Sequence, residues 1–536
     1  MRTSPNCLKH YLLFLMLCSA AVLHAQQISL VKPLQGLVRS YESCNGDLYF
    51  TDDVRLWKTN GDSSNTFVLR QFRPFSTVHS LTCYNGKLYF IANDSTAGYE
   101  LWTSDGTAQG TNVLKNISPG HAFPRTALPD GGSLLFVYNN LLYFTADDYY
   151  HGQELWQSDG TANGTQMTLD LNPTGTGVYN LSIVGNKLFF KGSDGDSIRL
   201  WTSDGTASGT KVVNTVVPKS LMKSTQNSYV YLHGQCKDST SAFYQKWGLF
   251  VSNGTDTGTR MITDTLNYYN DFTFNHIELN GKAFFINRRS YKYQLYVTDG
   301  TKAGTVLLKD GLILNTLNAN AYFTIYKNLV YFSASDKAIV KSGQLWVSDG
   351  TLAGTHPLTS INPFPDPKSL IEYDGDIFFR GRTNDRMELW STDGTSQNTQ
   401  VIPYINANHV HLYSYVYESP IFQHHKSLFF DAVYDTTIGI ALYKYDYSVP
   451  PNPTNVTSAV LGKIAVYPNP VEETIYTSSK DVVQLTVYDM TGKMLLKEDS
   501  DHINVSSLAA GSYIIEITAN GNKKMDKFIK MHSAPR

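Results

Sequence analysis

Asp105-Gly106-Thr107 puts a carboxylate, a permissive backbone and a hydroxyl into three residues, a set able to hold a metal or build a catalytic turn. The triplet recurs at 159–161, 204–206, 299–301, 349–351 and 393–395, and with Asn at 253–255. A residue needed in every copy of a repeat serves the repeat. Asp or Asn caps turn amides and Gly supplies an unusual backbone angle, so the triplet reads as turn chemistry. The position of Glu100 tests this. Its equivalents are Arg55, Glu154, Arg199, Gly248, Gln294, Gln344, Glu388 and Ala441, which is no ring of carboxylates. There is no His-Glu-x-x-His, no phosphate-cradling Gly-rich loop with Lys and no nucleophile elbow. His424-His425 stands without ligand spacing, and Asp194-Gly195-Asp196 lacks the remaining positions of a calcium loop. Both are expected on solvated loops. No catalytic or metal residue is assigned, and no cofactor is expected.

The elements around these triplets are repeats. Glu100-Leu101-Trp102-Thr103-Ser104-Asp105-Gly106-Thr107 returns at 154–161, 199–206, 344–351 and 388–395, with weaker copies at 249–255 and 295–301. Degenerate copies are Leu56-Trp57 with Asn60-Gly61, and Leu442-Tyr443 with Asp446. The aromatic position is Trp57, Trp102, Trp156, Trp201, Phe250, Tyr296, Trp346, Trp390 and Tyr443, at intervals of 44 to 54 residues. Upstream companions such as Gly86-Lys87-Leu88-Tyr89-Phe90 also number nine. One unit resolves into strands at 78–82, 88–92, 100–104 and 111–114. Asn85-Gly86 is a tight hairpin and Asp105-Gly106 the next turn. Strand two is apolar on successive residues, so both faces are buried, as in a propeller blade. The expected fold is all-β: a large β-propeller of about nine four-stranded blades, with eight as the alternative, followed by a small Ig-like β-sandwich. The ninth unit lacks a fourth strand, and a spare strand-like run at 28–32 fits the vacancy.

Residues 1–25 read as a secretory signal: Arg2 and Lys9, then an apolar run over 11–23, then Ala25 before Gln26 as the cleavage point. Lipoprotein processing at Cys18 is a rival, disfavoured by Leu17. The mature chain has no expected transmembrane segment. Of its three cysteines, Cys44 and Cys83 are the candidates for one pair. Three isolated buried thiols is the preferred alternative. Lys plus Arg is 44 and Asp plus Glu is 46, a net charge of −2, which argues against a nucleic-acid partner. Charged residues at 17%, against about 25% in an ordinary domain, with 35 Tyr and 39 Gly, suit a β-rich chain with tight turns.

The long motif resembles the E-L-W-x-x-D-G-T repeat of secreted bacterial proteins, over most of 40–447. That resemblance implies an extracellular or surface protein and no particular reaction. After a Pro-rich linker at 448–463 the pattern changes to about seven short strands over 464–536. Val466-Tyr467-Pro468-Asn469-Pro470, Val487-Tyr488-Asp489 with Gly492-Lys493, Leu508 with Gly511-Ser512-Tyr513, and the basic end at 523–530 resemble the type A C-terminal sorting domain of the type IX secretion system. The resemblance implies partners in that machinery, a sortase-like peptidase, periplasmic transit, and a cargo anchored at the surface or released. The domains are then the signal at 1–25, the propeller at 26–447, the linker at 448–463 and the sorting domain at 464–536.

Strand direction alternates, so the Asn-Gly and Asp-Gly turns share one face of the disc. The longer, varied loops share the other, where binding resides on a rigid scaffold. Tyr99, Tyr149, Tyr150, Tyr268, Tyr269, Tyr413 and Tyr415 are candidate binding-face aromatics, with His151 and Tyr417 beside them. Ser95, Ser197, Ser239, Thr265 and Thr436 each follow Asp and precede an aliphatic residue or Thr. They resemble the O-glycosylation acceptor motif of bacteria with this secretion route; plain loop chemistry is the equal alternative. The leading function is a surface or extracellular binding or adhesion propeller for glycan or protein. The alternatives are an extracellular hydrolase or lyase acting on polysaccharide, and a coat protein. The absent catalytic motifs favour the first.

Overall fold

The computed structural model describes residues 28–52, 54–72, 78–93, 99–118, 135–173, 175, 177–222, 229–264, 276–289, 292–314, 321–336, 343–358, 366–383, 386–402, 419–433, 438–446, 466–467, 471–477, 482–489, 493–519 and 522–531. The proposed signal, Ala25 and Gln26, the linker, and Ser95, Thr265, Tyr268, Tyr269, Tyr413, Tyr415, Tyr417 and Thr436 lie outside them. The chain divides into two compact units, Met1–Tyr447 and Ser448–Arg536.

Unit one contains nine four-stranded antiparallel sheets among the described residues, consistent with propeller blades; in chain order, sheet one runs over 38–71, two over 79–115, three over 136–169, four over 178–213, five over 216–263, six over 276–312, seven over 324–357 and eight over 368–401. Sheet two shows the plan, with strands His79–Tyr84, Lys87–Asn93, Tyr99–Ser104 and Asn112–Lys115. Asn85 and Gly86 join the first two strands at φ 47° and 72°, angles that Asn and Gly tolerate. Five successive residues of Lys87–Asn93 are buried, because both sheet faces are covered. Phe90 lies opposite Trp102 in register, and the rings stack. The same cross-strand pair recurs as Phe50 with Trp57, Phe190 with Trp201, Phe332 with Trp346 and Phe379 with Trp390. Each buried side chain of this size contributes about 1.5–3 kcal/mol.

The apolar faces are shared between consecutive sheets. Leu69 and Phe72 of sheet one join Leu88 and Trp102 of sheet two in one cluster. Val178 and Trp201 of sheet four join Tyr143 of sheet three. Leu48, Phe50 and Trp57 of sheet one share a cluster with Phe422, Phe429 and Leu442 of sheet nine. Sheet nine takes Phe422–His424, Ser427–Ala432 and Ala441–Asp446 from the end of the unit and Ile28–Pro33 from its beginning. The spare amino-terminal strand therefore fills the vacancy, with Ile28 opposite Tyr445 and Leu30 opposite Tyr443.

Three expectations change. Cys44 and Cys83 are disulfide-bonded, with Cα atoms 5.2 Å apart, and only Cys236 is a free buried thiol among the described residues. Packing of sheet one on sheet two brings together residues 39 apart in sequence. His424 is buried in the last position of its strand rather than on a solvated loop; His425, in the hairpin, is exposed. The strand after the Asp105-Gly106 turn is Asn112–Lys115, one residue later than the sequence places it.

Unit two has seven strands among its described residues. Val466–Tyr467, Thr474–Thr477 and His502–Asn504 form one sheet; Met494–Glu498, Val482–Tyr488, Gly511–Ala519 and Asn522–Lys530 form the other. Ile475 and Ile503 of the first share a core with Leu485, Val487, Ile515 and Ile517 of the second. Among the described residues no helix is long and apolar enough to cross a membrane.

Candidate functional site

The recurring Asp is consumed by its own turn. Asp105 Oδ1 accepts the Thr107 N–H at 2.9 Å and the Thr107 hydroxyl at 2.8 Å. Thr107 Oγ1 in turn accepts the Gly110 N–H at 2.9 Å, and Ser104 Oγ and Thr111 Oγ1 bond across the base of the loop at 2.7 Å. These bonds, led by the Thr107 hydroxyl, hold the Asp105 carboxyl below its ordinary range. A Cβ on Gly110 would fall 2.0 Å from Asp105 Oδ1, so a side chain there must displace the carboxylate; in the copy at Asp393 the place is taken by Asn398, which donates to Asp393 Oδ2 at 2.6 Å. The network repeats at Asp159, Asp204, Asn253, Asp299, Asp349 and Asp393. The turn also ties sheets together: the Tyr89 hydroxyl donates to Gly160 O of the next sheet at 3.3 Å, and Tyr143 to Gly205 O at 3.2 Å.

Glu100 and Glu154 serve the links from one sheet to the next. Glu100 accepts the Ile117 and Ser118 N–H groups at 2.7 and 3.1 Å, and Glu154 those of Leu171 and Asn172 at 3.0 and 3.2 Å. Burial pushes Glu154 up to about 7, against the pull of these amides and with the help of the nearby Asp170 charge.

On the opposite end of the sheets, the loop between strands two and three of sheet three carries the most exposed aromatic pair among the described residues. Tyr149 is 61% exposed and Tyr150 78%. Their rings meet edge to face with centroids 5.7 Å apart. Tyr149 takes φ 77°, a conformation costly for a bulky residue. Two carboxylates hold it. Asp147 Oδ1 accepts the Tyr149 N–H at 2.7 Å, while Asp148 Oδ1 accepts those of Tyr150 and His151 at 3.1 and 2.9 Å. Asp148 Oδ2 lies 2.7 Å from His151 Nδ1, and this contact raises the imidazole pKa. The rings are thus presented on a braced loop rather than packed down.

The other sequence candidates divide. Tyr99 is half-buried against the core shared by sheets two and three and lies 6.0 Å from the His79 ring. Ser197 is half-buried and Ser239 exposed, both in the loops between strands two and three of sheets four and five. Tyr244, 47% exposed in the sheet-five loop, carries no sequence signal beyond being an aromatic that the strand pattern does not require. Asp147 and Asp148 were equally silent: their role lies in which amides the loop points at them.

A cleft of about 360 Å³ opens where sheet nine meets sheet one, between the Asn45-Gly46 and His425 hairpins. Ser43 Oγ and His424 Nδ1 lie 3.0 Å apart there, and His425 Nε2 lies 3.0 Å from Gly46 O. Burial, then the His425 charge, lowers the His424 pKa. A nucleophile–base pair needs a third group to orient the base. Asp47, whose charge reaches His424, is instead paired with Lys58 Nζ at 2.7 Å. Both contacts tie sheet nine to sheet one.

In unit two, the two sheets lie within a family match over 465–531, the secretion system C-terminal sorting domain. This segment is a type IX sorting domain. The sorting domain indicates export to the cell surface or extracellular space and interaction with the type IX machinery. A 70-residue stretch is 39% identical to Beta-agarase D of Zobellia galactanivorans, covering 12% of this chain and 15% of that protein. The chain therefore spans less than a sixth of this curated relative. Among solved structures, a Mycobacterium tuberculosis puromycin-hydrolyzing peptidase aligns at 11% identity over 62% of this chain and 55% of that one, TM-score 0.34. A prolyl endopeptidase aligns at 9% over 82% and 54%, TM-score 0.34, and a chain of the Mitotic Checkpoint Complex at 14% over 59% and 95%, TM-score 0.34. These scores are too low to bear on fold or activity.

Proposed function

We propose that this chain is an exported, non-catalytic glycan-binding propeller of the E-L-W-x-x-D-G-T repeat type. Its nine sheets are blades, and Ile28–Pro33 closes the ring as the fourth strand of the ninth. A leader at 1–25 is cut between Ala25 and Gln26, and the sorting domain at 464–536 folds as a small Ig-like sandwich. That domain directs the propeller through the periplasm and is removed by a sortase-like peptidase. Ser197 and Ser239 are O-glycan acceptors on the loop face.

The observation that carries the binding reading is the Tyr149–Tyr150 pair. A strained, braced loop holding two rings in water is poor use of apolar surface unless something covers them. Aromatic rings offer the apolar faces of sugars a flat partner, with hydroxyl and carboxylate acceptors around them. The short likeness to an agarase, a protein named for a polysaccharide, supports an extracellular glycan as the ligand class.

The test is attachment of the full chain to an array of polysaccharides and surface proteins. Tyr149→Ala with Tyr150→Ala should abolish glycan attachment with an unchanged melting temperature, and Asn85→Ser on the short-turn face should leave it intact. Loss from Asn85→Ser alone, or attachment to proteins only, would refute the reading. Oligosaccharide release from the array would replace it with a hydrolase or lyase.

A further inference from the structure

Building on the glycan-binding reading, we infer that the Tyr149–Tyr150 pair is one end of an extended site for a long, uncharged polysaccharide, laid across the loops of sheets three, four and five. Three observations carry the inference.

The first is placement. Tyr149 and Tyr150 stand in the loop between strands two and three of sheet three, Ile198 at the end of the same loop in sheet four, and Tyr244 in that of sheet five. All lie at the end of the sheets opposite the Asn-Gly hairpins. Ile198 is 36% exposed and Tyr244 47%. Three consecutive sheets therefore each leave apolar surface in water at the same level.

The second is span. Sheets three and four share one core cluster, and sheets four and five another, so these loops are direct neighbours. Packed sheets lie about 10 Å apart, so the loops of sheets three and five are on the order of 20 Å apart. A monosaccharide covers only the pair; a chain of several sugars is needed to reach both ends.

The third is charge. The three loops carry Asp147, Asp148, Asp194, Asp196 and Asp238 against Arg199, Lys237 and Lys246. Arg199 is engaged with Asp194 at 3.6 Å and Lys246 with Asp264 at 3.1 Å. His151 is engaged with Asp148. A sulfated or uronate polymer would meet carboxylates and few available cations, while an uncharged chain meets hydrogen-bond acceptors beside flat rings.

The experiment is titration of the full chain with cello-, laminari- and agaro-oligosaccharides of two to eight residues, and with carrageenan and alginate oligosaccharides as polyanions. At least one uncharged series should bind, with affinity rising along the series. Tyr244→Ala should lower affinity for the longest members about tenfold and leave the dimer unchanged. Tyr149→Ala with Tyr150→Ala should remove binding at every length. Polyanions should bind more weakly than uncharged chains of equal length, the gap narrowing in 1 M salt. Tighter binding of polyanions, or a Tyr244→Ala effect that is absent or equal at all lengths, would overturn the extended uncharged site while leaving glycan binding standing. Binding that survives loss of both tyrosines, or no binding of any series by the native chain, would overturn both.

Discussion

Gly160 is where local conformation and sheet packing coincide, and replacing it by Ala separates the two. Gly160 takes φ 91°, and a Cβ there would sit 2.5 Å from the Tyr89 hydroxyl and 3.3 Å from its Cζ. Gly46 takes φ 84° in a hairpin of sheet one, with nothing within 4 Å of its Cβ position. Gly46→Ala therefore reports backbone strain alone, about 1–2 kcal/mol. Gly160→Ala adds displacement of a phenol whose ring is buried and whose hydroxyl bonds to Gly160 O. Overpacking of that kind costs about 1–3 kcal/mol, giving about 2–5 kcal/mol in all. Tyr89→Phe loses a hydrogen bond worth about 1 kcal/mol but removes the colliding atom. The double variant should thus be more stable than the sum of the singles by about 1–2 kcal/mol. Guanidinium denaturation of the full chain, followed by tryptophan fluorescence, measures all four species. Equal losses for Gly46→Ala and Gly160→Ala, or additivity within about 0.5 kcal/mol, would refute the proposed contact between sheets two and three.

Deleting residues 26–33 should expose the edge of Ala441–Asp446 and uncover the core around Val31, seen as a lower melting temperature and fast amide exchange in sheet nine; unchanged exchange there would contradict the pairing. Cys44→Ser with Cys83→Ser should cost about 3–4 kcal/mol, the entropy of a 39-residue closure, and a reductant should lower the denaturation midpoint of the native chain but not of the variant. Glu154 is raised from 4.5 to about 7, so its contribution to stability is full below pH 4.5 and is lost as pH rises towards and through 7. Glu154→Gln should flatten that fall, and identical pH–stability slopes between pH 4.5 and 7.5 would count against it.

Much of the architecture was legible because its determinants are local. Asn85-Gly86 tolerates the angles of a tight hairpin on its own chemistry, and the run of buried residues in Lys87–Asn93 reads directly as a strand covered on both faces. The Asp105-Gly106-Thr107 turn satisfies its own polar groups within seven residues, so repetition alone was enough to take it out of the catalytic candidates. The sorting domain was likewise written in short, spaced pieces of sequence, and the family match covers 465–531.

What the sequence by itself determined is therefore the repeat of a four-stranded unit, the strands within each, and the turns that join them; whether the units number nine or eight was left to the structure. Only the tertiary structure decided which residues of one sheet meet the next. Cys44 reaches Cys83, Tyr89 reaches Gly160, and His424 leaves solvent because the sheets stack face to face, a placement no local pattern encodes. The same holds for the loop face. Tyr149, Tyr150 and Tyr99 are the same residue type, yet two are largely exposed and one packs against a core. Asp147 and Asp148 gather the amides of their own loop, whereas Tyr99 begins a strand that the packing of sheet two on sheet three covers, and only the second of these depends on which sheet meets which.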